Sequence, residues 1–98
     1  MQISKNIIVK GFVQGVSFRK QTKRVATTLG VNGWVRNLDN GNVEACLEGD
    51  EKAVDDLISW CAFGPKKAKV DEVQVIYHQF KTSSSDFRIL EDRKIGIQ

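Results

Sequence analysis

VNGWVRNLDNGNVEACLEGD, residues 31–50, holds two strand-forming runs on either side of Asn40-Gly41. Asn-Gly tolerates the positive φ of a tight turn, so the stretch predicts a β-hairpin. In the second run Val43, Ala45 and Leu47 alternate with Glu44, Cys46 and Glu48. One face is therefore apolar, and Cys46 is expected beside the two glutamates on the solvent side. Asp50 then stands as an N-cap ahead of Ala53, Val54, Leu57, Ile58 and Cys61, an apolar stripe at helical spacing. Gly64-Pro65 stops that helix.

The same punctuation extends outward. Upstream, Ile3 to Lys10 is rich in isoleucine and valine and reads as a strand ending at Gly11. The period then changes: Phe18, Thr22, Val25, Ala26 and Leu29 mark a helix, with Ser17 as candidate N-cap and Gly30 as stop. Downstream, Lys69 to Phe80 reads as a long strand with Val73, Val75 and Tyr77 on one face. KTSSSD is a polar loop, FRIL a short last strand, and EDRKIGIQ (residues 91–98) a loosely held tail. The order is β-α-β-β-α-β plus a terminal strand, which predicts a ferredoxin-like α+β fold: an antiparallel sheet with two helices on one face. No repeat, low-complexity tract or linker divides the chain, so residues 1–98 are expected to form a single domain.

Composition narrows the function. The 98 residues carry a net charge of +3, 41% hydrophobic and 28% charged residues, a mixture suited to a soluble domain with one core. There is no apolar run of membrane-spanning length and no signal-peptide pattern, so a cytoplasmic protein without membrane partners is expected. Cys46 and Cys61 should lie on opposite sides of the sheet, too badly placed for a disulfide, and thiols fit a reducing compartment. Two cysteines without a CxxC pair and a single His78 make a poor metal site. The basic residues cluster: Arg19, Lys20, Lys23 and Arg24 fall at the start of the first helix, while Asp50, Glu51, Asp55 and Asp56 open the second. Two solvated helix faces account for this pattern, and so does a positive field that draws in anions.

That field surrounds GFVQGVSFRK, residues 11–20, the joint between the first strand and first helix. Its glycines permit a bend. Equally, bare N–H groups beside a helix N-terminus with an arginine at the lip suit a phosphate. The spacing is neither the nucleotide P-loop nor GxGxxG, and no Ser/Cys–His pair or paired carboxylates lie nearby. What remains is an anion cradle built from the amides of Gln14, Gly15, Val16, Ser17 and Phe18, closed by a bidentate Arg19. Taken singly, Arg19 and Asn37 would be ordinary surface and strand-end residues. Gln14 could be a surface side chain, and Val13, Val16 and Phe18 packing. An RNA-recognition domain shares the fold order and basic character. However, KGFVQGVSF departs from the RNP1 octamer and precedes the first helix, and NVEACLEG has no aromatic to stack a base, so no nucleic-acid partner is expected.

Two stretches together go further. VKGFVQGVSFR closely resembles the first signature of the acylphosphatases, and GWVRNLDNGNVEACLEG resembles their second. In the latter Gly33, Trp34, Asn37, Gly41, Val43 and Gly49 stand where that family's pattern has them. The resemblance spans about residues 5 to 90 and leaves out KTSSSD and the tail from Glu91. It implies a cofactor-free, metal-free hydrolase that converts a small acyl phosphate into a carboxylate and inorganic phosphate, the latter also a competitor. Acetyl phosphate, carbamoyl phosphate and 1,3-bisphosphoglycerate share the group involved. By position, Arg19 corresponds to the phosphate-binding arginine and Asn37 to the asparagine that holds the attacking water. A noncatalytic anion-sensing domain is the rival within that resemblance; intact Arg19 and Asn37 argue against it. Nothing demands more than a monomer.

Overall fold

The computed structural model describes residues 1–76 and 85–93. Strand β1 (Gln2–Phe12) leads to helix α1 (Phe18–Leu29), strands β2 (Asn32–Asn37) and β3 (Val43–Asp50), helix α2 (Glu51–Phe63), and strands β4 (Lys69–Ile76) and β5 (Phe87–Ile89). They form one five-stranded sheet in the order β4-β1-β3-β2-β5. The four long strands pair antiparallel, whereas β5 runs parallel to β2. The ferredoxin-like order is as expected, with a mixed sheet in place of a wholly antiparallel one. Three of the expected features lie wholly or partly outside the described residues: the end of the long strand at Tyr77 to Phe80 (His78 included), most of KTSSSD, and the tail over 94–98.

Register explains which residues reach the core. Ile7 pairs with Ala45 and Val9 with Val43, while Val35 faces Ala45 from the other side. These side chains therefore line one face, and both helices bury their stripes against it: Phe18 and Ala26 from α1, Val54, Leu57 and Cys61 from α2. Burying one such side chain contributes about 1.5–3 kcal/mol. The rings of Phe18 and Trp60 lie 5.7 Å apart, tying the start of α1 to α2. Val73 and Val75 pair with Val9 and Ile7, so they share one face as expected, and it is the helix side. Val75 is nevertheless exposed, because β4 is an edge strand.

Three expectations change in detail. Cys46 does share its face with Glu44 and Glu48, yet it is buried. The strand β3 is central, and Cys46 sits between Asn6 of β1 and Trp34 of β2, whose larger side chains leave a small thiol little exposure. Trp34 itself lies under the Arg36 guanidinium, 4.6 Å from its ring centre. The hairpin is also not a two-residue turn with positive φ at both positions. Leu38 N donates to Asn42 O and Gly41 N to Leu38 O, so the loop is three residues long and only Gly41, at φ 95°, takes positive φ. Asn40 instead accepts from Asn42 N through its side chain at 3.0 Å. Finally, the first part of the tail is held. Arg93 N donates to Asn37 O (2.8 Å), and Asp39 N donates to Arg93 O (3.0 Å). Glu91–Arg93 thus extends the parallel pairing of β5 along the end of β2.

Candidate active site

The joint between β1 and α1 is anchored by its apolar side chains. Val13, Val16 and Phe18 are all buried, so they pull the loop onto the core and leave its backbone outward. Gly15 has φ 74° and Ser17 φ 65°, both left-handed. Glycine takes that conformation without strain; Ser17 is the one non-glycine among the described residues that does so. Ser17 holds the N-cap position expected of it, but its side chain makes no capping hydrogen bond. The first helical donation is Gln21 N to Ser17 O at 3.0 Å. Among the described residues, no backbone N–H from Gly15 to Lys20 donates to a protein acceptor. The first turn of α1 contains no acid. Successive open amides in turned backbone at the positive end of a helix dipole are a geometry that suits an anion.

A cleft of about 190 Å³ lies at this joint, lined by Val13, Gly15, Ser17, Phe18, Arg19, Lys20, Asn37 and Ile89. Of the residues expected at the site, Gly15, Ser17, Phe18, Arg19 and Asn37 meet there, while Gln14 and Val16 do not line it. Val16 packs inward. Gln14 acts elsewhere, as a clamp. Its Nε2 donates to Leu38 O (2.6 Å) and Asn42 O (2.8 Å), tying the loop to the base of the β2–β3 hairpin. Gln14 therefore fixes the distance between the loop and the strand that carries Asn37.

Asn37 sits at the end of β2 and is only 7% exposed. Its Oδ1 is buried with no hydrogen-bond partner. A buried amide oxygen without a donor costs on the order of 1–3 kcal/mol, and Asn37 lines a cleft, so a water or ligand hydrogen that reached Oδ1 would remove that cost. Another cleft, about 300 Å³ and lined in part by Lys23, Asn32 and Asp86, has no such orphan atom among its lining residues. Arg19 stands at the rim, with its Nη1 donating to Asp92 Oδ1 at 3.2 Å. Sequence reasoning named neither Asp92 nor Ile89 for the site. Lys20 was legible only as one of the clustered cations. Among the described residues no group of three His, Cys, Asp or Glu side chains is placed to hold a metal ion, and no helix is long and apolar enough to cross a membrane.

An α+β domain whose first strand–helix joint leaves its amides open beside a cleft lined by Arg19 and Asn37 is the class these features define. Comparison with known proteins gives the family. The acylphosphatase family model matches residues 5–89. Over 89 residues the chain is 45% identical to an acylphosphatase of Geobacter sulfurreducens, covering 91% of this chain and 98% of that one. It is 48% identical over 86 residues to an acylphosphatase of Pyrobaculum islandicum, covering 87% and 90%. The crystal structure of acylphosphatase from Bacillus subtilis superposes with a TM-score of 0.85 at 33% identity, over 92% of this chain and 99% of the other. The chain belongs to the acylphosphatase family.

Proposed function

We propose that the cleft binds the phosphoryl group of a small acyl phosphate and hydrolyses its carboxyl–phosphate bond. The observation that carries this reading is the meeting, in one cleft, of Gly15, Ser17, Phe18, Arg19 and Lys20, whose amides have no protein acceptor, with Asn37, whose Oδ1 has no hydrogen-bond partner. The amides and the Arg19 fork receive the phosphoryl oxygens, where negative charge is spread in the transition state. Asn37 Oδ1 accepts a hydrogen from a water and aims its oxygen at phosphorus. The P–O bond to the acyl group breaks as the water oxygen bonds phosphorus, and the carboxylate departs with that electron pair. The water's proton passes to a phosphoryl oxygen of the substrate, so no side-chain base is needed. An asparagine suits the role because a carboxylate there would repel the dianion.

In this scheme the loop and Arg19 supply the positive potential, so the reaction proceeds without a metal or cofactor. Acetyl phosphate hydrolysis by purified protein, before and after exhaustive chelation, tests both points. Phosphate release that survives chelation and is inhibited competitively by inorganic phosphate is expected. No release would refute the reaction, and release restored only by a divalent ion would refute the metal-free route. The same reading places the chain in the cytoplasm as a monomer. The two cysteines outside any disulfide support the cytoplasmic part of it. Elution from a sizing column at twice the monomer mass would overturn the monomer.

A further inference from the structure

We propose that Asp92 is a positioning residue for the reaction: its carboxylate holds the Arg19 guanidinium in register with Asn37, at the cost of competing with phosphate for it. The inference rests on the function proposed above. Two contacts made by adjacent residues carry it. Asp92 Oδ1 receives Arg19 Nη1 at 3.2 Å, and Arg93 N donates to Asn37 O at 2.8 Å. One short stretch following β5 thus touches both residues to which the chemistry is assigned.

The backbone of that stretch is fixed. Leu90 N donates to Val35 O (2.9 Å), Arg93 N to Asn37 O, and Asp39 N to Arg93 O (3.0 Å). Leu38 and Arg93 form a parallel bridge. The Arg93 guanidinium lies 3.7 Å from Glu44, a carboxylate that also accepts from Arg36 at 2.9 Å. The Asp92 side chain is therefore presented from a backbone locked to the strand that carries Asn37. An exposed ion pair is ordinarily weak because two long side chains must be ordered to form it. Here aspartate is short and its backbone is already held, so the ordering falls mainly on Arg19.

A guanidinium offers its N–H groups in a planar fork. With Nη1 on Asp92, the Nε–Nη2 edge is left with two parallel N–H groups, the pair that suits a phosphate. Asp92 thereby selects which edge of Arg19 is presented. It also sets a negative charge 3.2 Å from that cation, which lowers the site's affinity for any dianion. The two consequences have opposite signs. Without the carboxylate, phosphate should bind more tightly, yet a less fixed Arg19 should serve the transition state less well.

Asp92→Asn in the full chain separates them. Calorimetric titration with inorganic phosphate should show Kd falling roughly two- to fivefold, the scale of an exposed ion pair. With acetyl phosphate, kcat should fall at least about threefold, since misplacing a positioning group is expensive. Asp92→Glu should recover part of kcat. Asp56→Asn, which removes the same charge from the exposed Lys52 pair on α2, should move neither value. Unchanged Kd and kcat, a parallel worsening of both, or a rise in kcat would each overturn the role. Absence of turnover in the unsubstituted protein would end the reaction and this role together. That failure is distinguishable because it appears before any substitution is made.

Discussion

Helix α2 begins with its own anions in place: Asp50, in extended conformation, accepts from Lys52 N through its side chain, and Glu51 follows in the first turn. Glu51 N also donates to Met1 O at 2.9 Å. Helix α1 begins with none of this. Ser17 is left-handed and its side chain caps nothing, the first turn has no acid, and the amides from Gly15 to Lys20 lack protein acceptors among the described residues. The helices share a sheet face and a core, so packing does not account for the contrast. A helix that does not satisfy its N-terminus internally leaves that electrostatic advantage to an external anion. α2 satisfies its N-terminus from within, and on the function proposed above α1 leaves its own open for phosphate.

The largest effect on turnover is expected at the group facing the cradle. Asn37→Ala should lower kcat by about 10²–10³, the usual loss when one positioning or stabilising donor is removed. The inhibition constant for inorganic phosphate should stay near its original value. Thermal melts decide between this and loosening of the hairpin, because Asn37 O also accepts from Arg93 N. Near-normal kcat in a folded variant would make Asn37 a structural residue.

Next comes the cation at the lip. Arg19→Ala should cost about 1.5–3 kcal/mol in kcat/KM, the scale of a hydrogen bond to a charged group. Arg19→Lys should not restore it, since charge is kept while the planar fork is lost. Kinetics of Arg19→Lys equal to those of the original protein would show that charge alone suffices.

The contrast between the two N-termini can then be tested by exchanging their chemistry. Ser17→Asp brings a carboxylate to the open end, and should weaken inhibition by phosphate at least about tenfold through like-charge repulsion, without loss of melting temperature. Asp50→Ala should do the reverse, costing about 1 kcal/mol of stability through the lost cap with kcat unchanged. Equal effects of the two substitutions on phosphate binding would erase the distinction.

No effect on turnover is expected from Cys61. Burial beneath the helices pushes its thiol up to about 12 from an ordinary 9.0, partly offset by a hydrogen bond with Thr22. At pH 8 it should resist alkylation until the protein unfolds. Because the folded state keeps the proton longer than the unfolded one, this contribution to stability is intact below pH 9 and is lost as pH rises from 9 to 12. Rapid labelling of Cys61 in folded protein at pH 8 would contradict the burial.

Much of the architecture was legible because periodicity and punctuation agree. Asp50, Gly30 and Gly64-Pro65 end or begin helices where the apolar stripes do. What stayed hidden depends on tertiary neighbours. Cys46 reads as solvent-facing from alternation alone, since nothing local reveals that Asn6 and Trp34 flank it on both ladders. The parallel pairing of β5 and the hold on Arg93 are long-range choices that three strand residues cannot announce. At the site, Arg19 and Asn37 were singled out through the two quoted signatures, and both line the one cleft. The side-chain part played by Gln14 was hidden, because its reach to Leu38 O and Asn42 O exists only once the hairpin is placed beside the loop. Asp92 carried no local signal at all.

If the N-terminus of α1 is held open for a phosphate while that of α2 is closed, the two ends must respond differently to the same anion. Backbone amide NMR during titration with inorganic phosphate reads both in one sample. Saturable shifts should concentrate at Gly15 to Lys20, with Glu51 and Lys52 unmoved. Shifts at α2 as large as those at α1, or none at Gly15 to Lys20 at phosphate concentrations that inhibit hydrolysis, would contradict the open cradle.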